Sequence, residues 1–238
     1  MFGLRNRIPG RLPAPHFVML AAVASLALAS CAGPTEESGA QRLVDRSTLT
    51  VQSIMASSSG SNVGDVLKRA RAVMICPRIF TAGFIVGASG GGCVLVGRAS
   101  QGSWSSPAFY TIGAGSFGLQ AGVKDAEVMM MIMSQKALNA VINSQFKVGA
   151  NASIAIATIG AGVGGATTAA LNADIITFAQ ASGVFAGISL NGSIFSADSQ
   201  TDAVYYGKPV DTRQIVIGMT ASNAGANPLR AVLGRYGG

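Results

Sequence analysis

Histidine is almost missing from this chain. The single one, His16, precedes Cys31, and none follows it. Everything after residue 31 is therefore without Ser-His-Asp or Cys-His catalysis and without histidine-ligated metal sites. Cysteine is scarce as well: beyond Cys31 there are only Cys76 and Cys93, too few for a structural zinc cluster. In an oxidising compartment these two either pair or sit as small buried hydrophobes, and a chain of this size has no need of a bridge. Charged residues amount to 11%. Glycine, at 31 residues, breaks the apolar segments before a bilayer-spanning helical run forms. That favours a strand-rich core with many turns over a polytopic membrane protein.

What is present first is an export pattern. Arg5, Arg7 and Arg11 precede an apolar run from Phe17 to Leu28, with no acidic residue nearby. The run is too short to span a bilayer and fits the hydrophobic region of a signal peptide. Leu28-Ala29-Ser30-Cys31 follows directly and resembles the lipobox of bacterial lipoproteins, which implies cleavage before Cys31 and acylation of its thiol. Diacylated anchoring is strong, because each buried methylene contributes ~0.8 kcal/mol. Ala32, where an Asp would signal inner-membrane retention, points to the outer membrane on its periplasmic side. Residues 1–30 are thus read as signal peptide, 31–40 as a polar tether, and 41–238 as one domain. Loss of the three signal arginines leaves fourteen basic against ten acidic residues. This mild excess suits an anionic lipid surface and gives no argument for nucleic acid.

Apolar spacing predicts a helix over Gln41–Ser57, with Leu43, Val44, Leu49, Ile54 and Met55 on its inner face. A second short helix is expected with Asn62 as its cap and Asp65 at N3. Arg42 and Arg46 on the first helix, and Lys68, Arg69 and Arg71 at the end of the second, are the candidate lipid-binding residues. A solvated helix face is the alternative reading of the same cations. From Ala72 the pattern changes to strands: Ala72–Cys76 stopped by Pro77, then Phe84–Ala88, a glycine turn over Ser89–Gly92, and Cys93–Arg98. Further strands are expected around Trp104–Ile112 and Ser116–Gly122. One central helix is predicted after Asp125, its face marked by Val128, Met131, Ile132, Leu138, Val141, Ile142 and Phe146. Its methionines, Met129, Met130, Met131 and Met133, read as core filling before they read as a lipid-contacting surface. Strands return at Ala152–Ile159, Ile175–Ala179, Val184–Leu190 and Ser193–Ala197, with Asn191-Gly192 as a hairpin signal. A short helix is expected at Thr201–Tyr206, a further short helix or strand beyond Pro209, and a short terminal helix or tail at Asn227–Arg235. The sum is an α+β fold: a mostly antiparallel sheet with N-terminal amphipathic helices and one central helix.

Three catalytic or cofactor signatures occur and fail on context. Gly87-Ala88-Ser89-Gly90-Gly91 matches the G-x-S-x-G elbow, but a strand follows where a helix is required and no histidine base exists. Gly113–Gly118 and Gly160–Gly165 match G-x-G-x-x-G without the helix N-terminus that would meet a pyrophosphate. Asp198 and Asp202 read as capping or surface acids. No catalytic residue, metal or cofactor is expected.

Several segments together resemble the SYLF family of lipid-binding domains. They are Ala70–Pro77, Ala82–Gly87, Trp104-Ser105-Ser106-Pro107, Gly115–Gly122, Gly183–Gly192 and Tyr205-Tyr206-Gly207. The resemblance implies a non-enzymatic domain that binds membrane phospholipid through a basic N-terminal helical region. That lipid is phosphoinositide in eukaryotic members, and some fungal members also bind actin. On this sequence the basic region corresponds to Arg42, Arg46, Lys68, Arg69 and Arg71, and the expected partners are anionic phospholipid head groups such as phosphatidylglycerol or cardiolipin. The alternative function is a structural or protein-interaction module of the cell envelope.

Overall fold

A computed structural model describes residues 36–57, 60–83, 86–117, 122–143, 145–150, 154–159, 172–181, 184–185 and 190–238. The signal segment, Cys31 and the glycine-rich 160–165 stretch lie outside the described residues. The described elements, in order, begin with α1 (Glu36–Ala56), α2 (Gly60–Arg69), β1 (Ala72–Gly83), β2 (Val86–Gly97), β3 (Ala108–Phe117) and β4 (Gly122–Ile132). They continue with α3 (Gln135–Ile142), β5 (Gln145–Lys147), β6 (Ile156–Ile159), β7 (Ile175–Ala181), β8 (Val184–Phe185) and β9 (Ile194–Ala197). Three helices close the chain: α4 (Ser199–Tyr206), α5 (Thr212–Val216) and α6 (Asn227–Gly237).

The expected α+β class holds. One sheet runs β5-β9-β3-β2-β1-β4-β7-β6, with β8 also on β7. Among these described strands every pairing is antiparallel except β6 with β7. Each face buries its own apolar layer. Val44, Val51, Ile54, Leu67, Val73, Ile75, Met129 and Met131 belong to the layer under α1, α2 and α6. Met74, Leu95, Val128, Met130, Leu138, Val141 and Ile215 belong to the layer under α3 and α5.

Helix α1 begins at Glu36, inside the stretch expected to be tether, and buries Ala40. Glu36 and Glu37 place negative charge at its positive end. Its hydroxyls do not break it, because Ser47 donates to the Leu43 carbonyl at 2.8 Å and Thr48 to that of Val44 at 3.0 Å. Leu49, expected inside, is 62% exposed. Helix α2 starts at Gly60, so Asn62 lies within it and not at its cap.

The largest correction concerns residues 122–146. The chain there is strand β4, then the short helix α3 capped by Ser134, then strand β5. From Val128 to Ile132 both faces of β4 are buried, which yields a continuous apolar run with no alternation to betray a strand. Met129, Met130 and Met131 are core residues, each at most 2% exposed. Asp125 caps nothing; it is on β4 and pairs with Arg78.

Three smaller expectations also give way. Pro77 does not stop β1. The strand passes through it at a bulge, with the register to β4 shifting between Cys76 and Ile79, which is where a strand tolerates a residue without an N–H. Ser89–Gly92 is not a turn but lies within β2, paired with β3 from Ser89↔Ala114 to Gly92↔Thr111. A Cβ on Gly91 would run into the Arg78 carbonyl oxygen, so the bulged neighbour strand itself requires a glycine there. Asn191-Gly192 does form a turn, closed by Ser193 N–H to Leu190 O at 2.9 Å, with Gly192 at φ +81°. Among the described residues it joins no hairpin, since β9 pairs with β3 and β5; residues 186–189 of the expected partner strand lie outside them.

Cys76 and Cys93 are disulfide-bonded, which settles the open alternative against two separate thiols. The β1/β2 register runs Ile75↔Val94, so the next pair along is Cys76 and Cys93, with Cα atoms 4.2 Å apart. Both are fully buried. The C-terminal ends of α2 and α6 meet on one cation. Arg98 donates to Leu67 O and Gly237 O, and its guanidinium lies 4.4 Å from the Trp104 ring centroid. Removal from water lowers the Arg98 pKa from its usual value.

Candidate functional site: a charged pocket beneath the first helix

Residues 46, 49, 50 and 53 recur at helical spacing, so they form one stripe of α1. That stripe faces the strand region just beyond the Pro77 bulge. Before the bulge, Val73 and Ile75 point into the α1 layer, and Met74 and Cys76 into the opposite one. After it, Ile79 lies in the opposite layer. Arg78 is thereby turned toward α1, and Phe80 follows it by period two.

The result is a cavity of about 510 Å³ lined by Arg46, Leu49, Thr50 and Ser53 of α1, Pro77 and Arg78 of β1, Asp125, Ala126 and Glu127 of β4, and Gln180 of β7. That volume is in the ~300–1,000 Å³ range of ligand sites. Arg78 is bidentate to Asp125, Nε to Oδ1 at 2.8 Å and Nη2 to Oδ2 at 3.0 Å. The hydrogen bond and the charge raise the Arg78 pKa, and the same hydrogen bond lowers that of Asp125. Deeper in, Glu127 accepts from Thr50 Oγ1 at 3.2 Å and from Gln180 Nε2 at 3.0 Å. Gln180 Nε2 also donates to Ser53 Oγ. Glu127 and Gln180 are direct register partners on β4 and β7. The amide nitrogen must face the carboxylate, which leaves Gln180 Oε1 buried without a partner among the described residues.

All five predicted cations are solvent-exposed, but the structure does not gather them. Arg46 joins the pocket; Arg42, one turn earlier, donates to Ser38 Oγ at 3.1 Å. Lys68 pairs with Asp65 at 3.5 Å and Arg69 bonds the Asp65 carbonyl. Arg71 precedes β1, and its N–H bonds the Ile132 carbonyl. The seven residues from Arg71 to Arg78 span roughly 23 Å of extended strand, well past a Debye length of about 8 Å. The pocket that Arg46 shares with Arg78 is therefore a separate patch from Lys68, Arg69 and Arg71. Arg78, Glu127 and Gln180 were not foreseen as site residues, since only long-range register brings them under α1.

The sequence landmarks are structural elements. Tyr206 donates its hydroxyl to Pro107 O at 2.6 Å, and the Ser105 hydroxyl caps the Gly97 N–H at 2.9 Å. Tyr205 meets Phe109 edge-on at 5.0 Å between centroids. Of the two suspected acids, Asp198 caps α4, while Asp202 is no surface acid at 1% exposure. Ser89 of the G-x-S-x-G match is in a strand, hydrogen-bonded to Thr81. Among the described residues no group of three or more His, Cys, Asp or Glu could hold a metal, and no helix is long and apolar enough to cross a membrane.

Fold and site define a small α+β binding domain, and comparison with known proteins places it. The profile of the family described as "Ysc84: Las17-binding protein actin regulator" matches residues 113–236, just over half of the chain. The chain belongs to this Ysc84/SYLF family. It is 26% identical over 172 residues to human "SH3 domain-containing YSC84-like protein 1", covering 72% of this chain and 50% of that protein. It is 26% identical over 234 residues to the Schizosaccharomyces pombe "SH3 domain-containing protein PJ696.02", covering 97% and 49%. To Saccharomyces cerevisiae "LAS seventeen-binding protein 3" it is 27% identical over 174 residues, covering 71% and 37%. The chain thus spans about half the length, or less, of these relatives. The family's description is that of a binding regulator and not of an enzyme.

Proposed function

We propose that this protein is a non-enzymatic lipoprotein, held on the periplasmic face of the outer membrane by an acylated Cys31, whose domain binds anionic phospholipid. The observation that carries the lipid contact is the solvent exposure of Arg42, Arg46, Lys68, Arg69 and Arg71, in two patches of the domain. Each cation near an anionic surface contributes roughly 1 kcal/mol at moderate salt. Lys68, Arg69 and Arg71 are the more compact patch. Changing all three to Gln should weaken sedimentation with phosphatidylglycerol vesicles more than tenfold at moderate salt. The melting temperature should hardly move, because exposed charges contribute little to stability. Unchanged binding would reduce these residues to a solvated helix end. The Las17-binding description of the family favours a second reading, a protein-interaction module. Under it the domain would bind no vesicle at all once the anchor is removed.

A further inference from the structure

We propose that the pocket beneath α1 takes the headgroup of a phospholipid bearing a primary ammonium, with phosphatidylethanolamine as the chemical type. Its phosphodiester meets Arg46 and its ammonium meets Glu127. The inference rests on the reading that the domain contacts a lipid surface, and it assigns that surface a specific ligand.

Charge is the first argument. The cavity is lined by two guanidiniums and two carboxylates, so it is balanced and not basic. A purely anionic headgroup would gain Arg46 but face Asp125 and Glu127 without a cation of its own. A zwitterion matches both signs at once.

The position of the charges is the second. Asp125 already holds both edges of the Arg78 fork, whereas Arg46 has no ion-pair or hydrogen-bond partner among the described residues. Arg46 is therefore the cation open to a phosphate. Deeper in, each Glu127 oxygen accepts one hydrogen bond, and a carboxylate has about four acceptor sites. Glu127 thus has capacity for further donors, and its register partner Gln180 carries a buried Oε1 without a partner among the described residues. Floor acceptors that outnumber their donors call for a ligand that only donates there, and an ammonium offers three N–H groups and accepts nothing.

The third argument is apolar. Leu49 lines the cavity while 62% exposed. Phe80 is 40% exposed, and its ring centroid lies 5.5 Å from the Arg78 guanidinium carbon. Two exposed large side chains beside a headgroup pocket suit the glycerol and first acyl carbons of a lipid, and a soluble phosphate metabolite would leave them in water.

The test uses the full chain and short-chain lipids below their micellar concentration. Dihexanoyl-phosphatidylethanolamine should bind at least tenfold tighter than dihexanoyl-phosphatidylglycerol by calorimetry. Glu127→Gln should remove that preference. Arg46→Glu, at an exposed position where folding is not at stake, should abolish binding of the ethanolamine lipid. Equal binding of the two lipids, or an unaltered preference in Glu127→Gln, would overturn the proposal. So would free phosphoethanolamine binding as tightly as the lipid, since the ligand would then not be a membrane component. Salt-sensitive binding to phosphatidylglycerol vesicles with no binding of the short-chain ethanolamine lipid would sink the pocket and leave the surface reading standing. Binding to neither would sink both.

Discussion

The carbonyl oxygen of Arg78 on β1 occupies the place that a side chain on Gly91 of β2 would need. The bulge that turns Arg78 toward α1 and the glycine opposite it are therefore one device. Gly91→Ala should push the bulge out of place, with an overpacking cost of about 1–3 kcal/mol. In thermal melts that is a fall of several degrees. Gly90→Ala is the control, because its nearest neighbour, the Ile112 carbonyl oxygen at 3.7 Å, leaves room for a methyl group. Equal melting of the two variants would show that the bulge moves freely.

The Cys76–Cys93 bond crosses two adjacent strands inside the core and closes a separation of 17 residues. A cross-link of that span restricts the unfolded chain by roughly 3 kcal/mol in the loop-entropy account. Melting in excess reductant should be lower than without it, and a Cys76→Ala/Cys93→Ala double variant should match the reduced protein. Thiol titration in denaturant without reductant should find neither cysteine. Two free thiols from these positions would disprove the bond.

What the sequence shows well is what local pattern encodes. α1 follows from helical spacing, the N-cap at Asp198 sits beside the expected start of α4, and α6 is the helical one of the two forms expected for the end of the chain. β4 does not follow, because Val128 and Met130 enter one layer while Met129 and Met131 enter the other. A doubly buried strand reads like a helix until its partners are known. The pocket is half legible for the same reason. Arg46 is visible as a cation on an amphipathic helix. Glu127 and Gln180 meet only through the pairing of β4 with β7, and nothing local to either residue announces that partner.

The anchor proposal has a direct test in cells. Cys31→Ser leaves the apolar run and the charged start intact and removes only the thiol to be acylated. The variant should move from the membrane fraction to the soluble fraction on washing in high salt, since the headgroup contacts proposed for the domain are mainly between charges and weaken with salt. A variant that stays with the membrane in high salt, and is still processed, would refute acylation as the anchor.

Asp202 carries the last prediction. Its side chain is 1% exposed; Oδ1 accepts the Phe109 N–H at 2.9 Å, and Oδ2 is buried without a partner among the described residues. Burial raises its pKa to about 7, the Phe109 hydrogen bond opposes the rise, and the charge of Asp198 adds to it. An acid with a raised folded-state pKa keeps its proton in the folded protein after the unfolded chain has lost it. The folded state then binds more protons between about pH 4 and pH 7, so stability falls as pH rises through that window and levels off above it. From pH 5.5 to pH 8 the loss should be about 2 kcal/mol. Tyr110 and Tyr206, which interact with this carboxyl, and Tyr205 have pKa values raised by burial and stay neutral across the window. Asp125 and Asp174 have lowered pKa values, so their contributions change only below it. Asp202→Asn keeps an acceptor for the Phe109 N–H and removes the titration. The parent should melt lower at pH 8 than at pH 5.5, and Asp202→Asn should flatten that dependence and raise the pH 8 value. A parent protein with the same melting temperature at both values would show that Asp202 ionises without penalty.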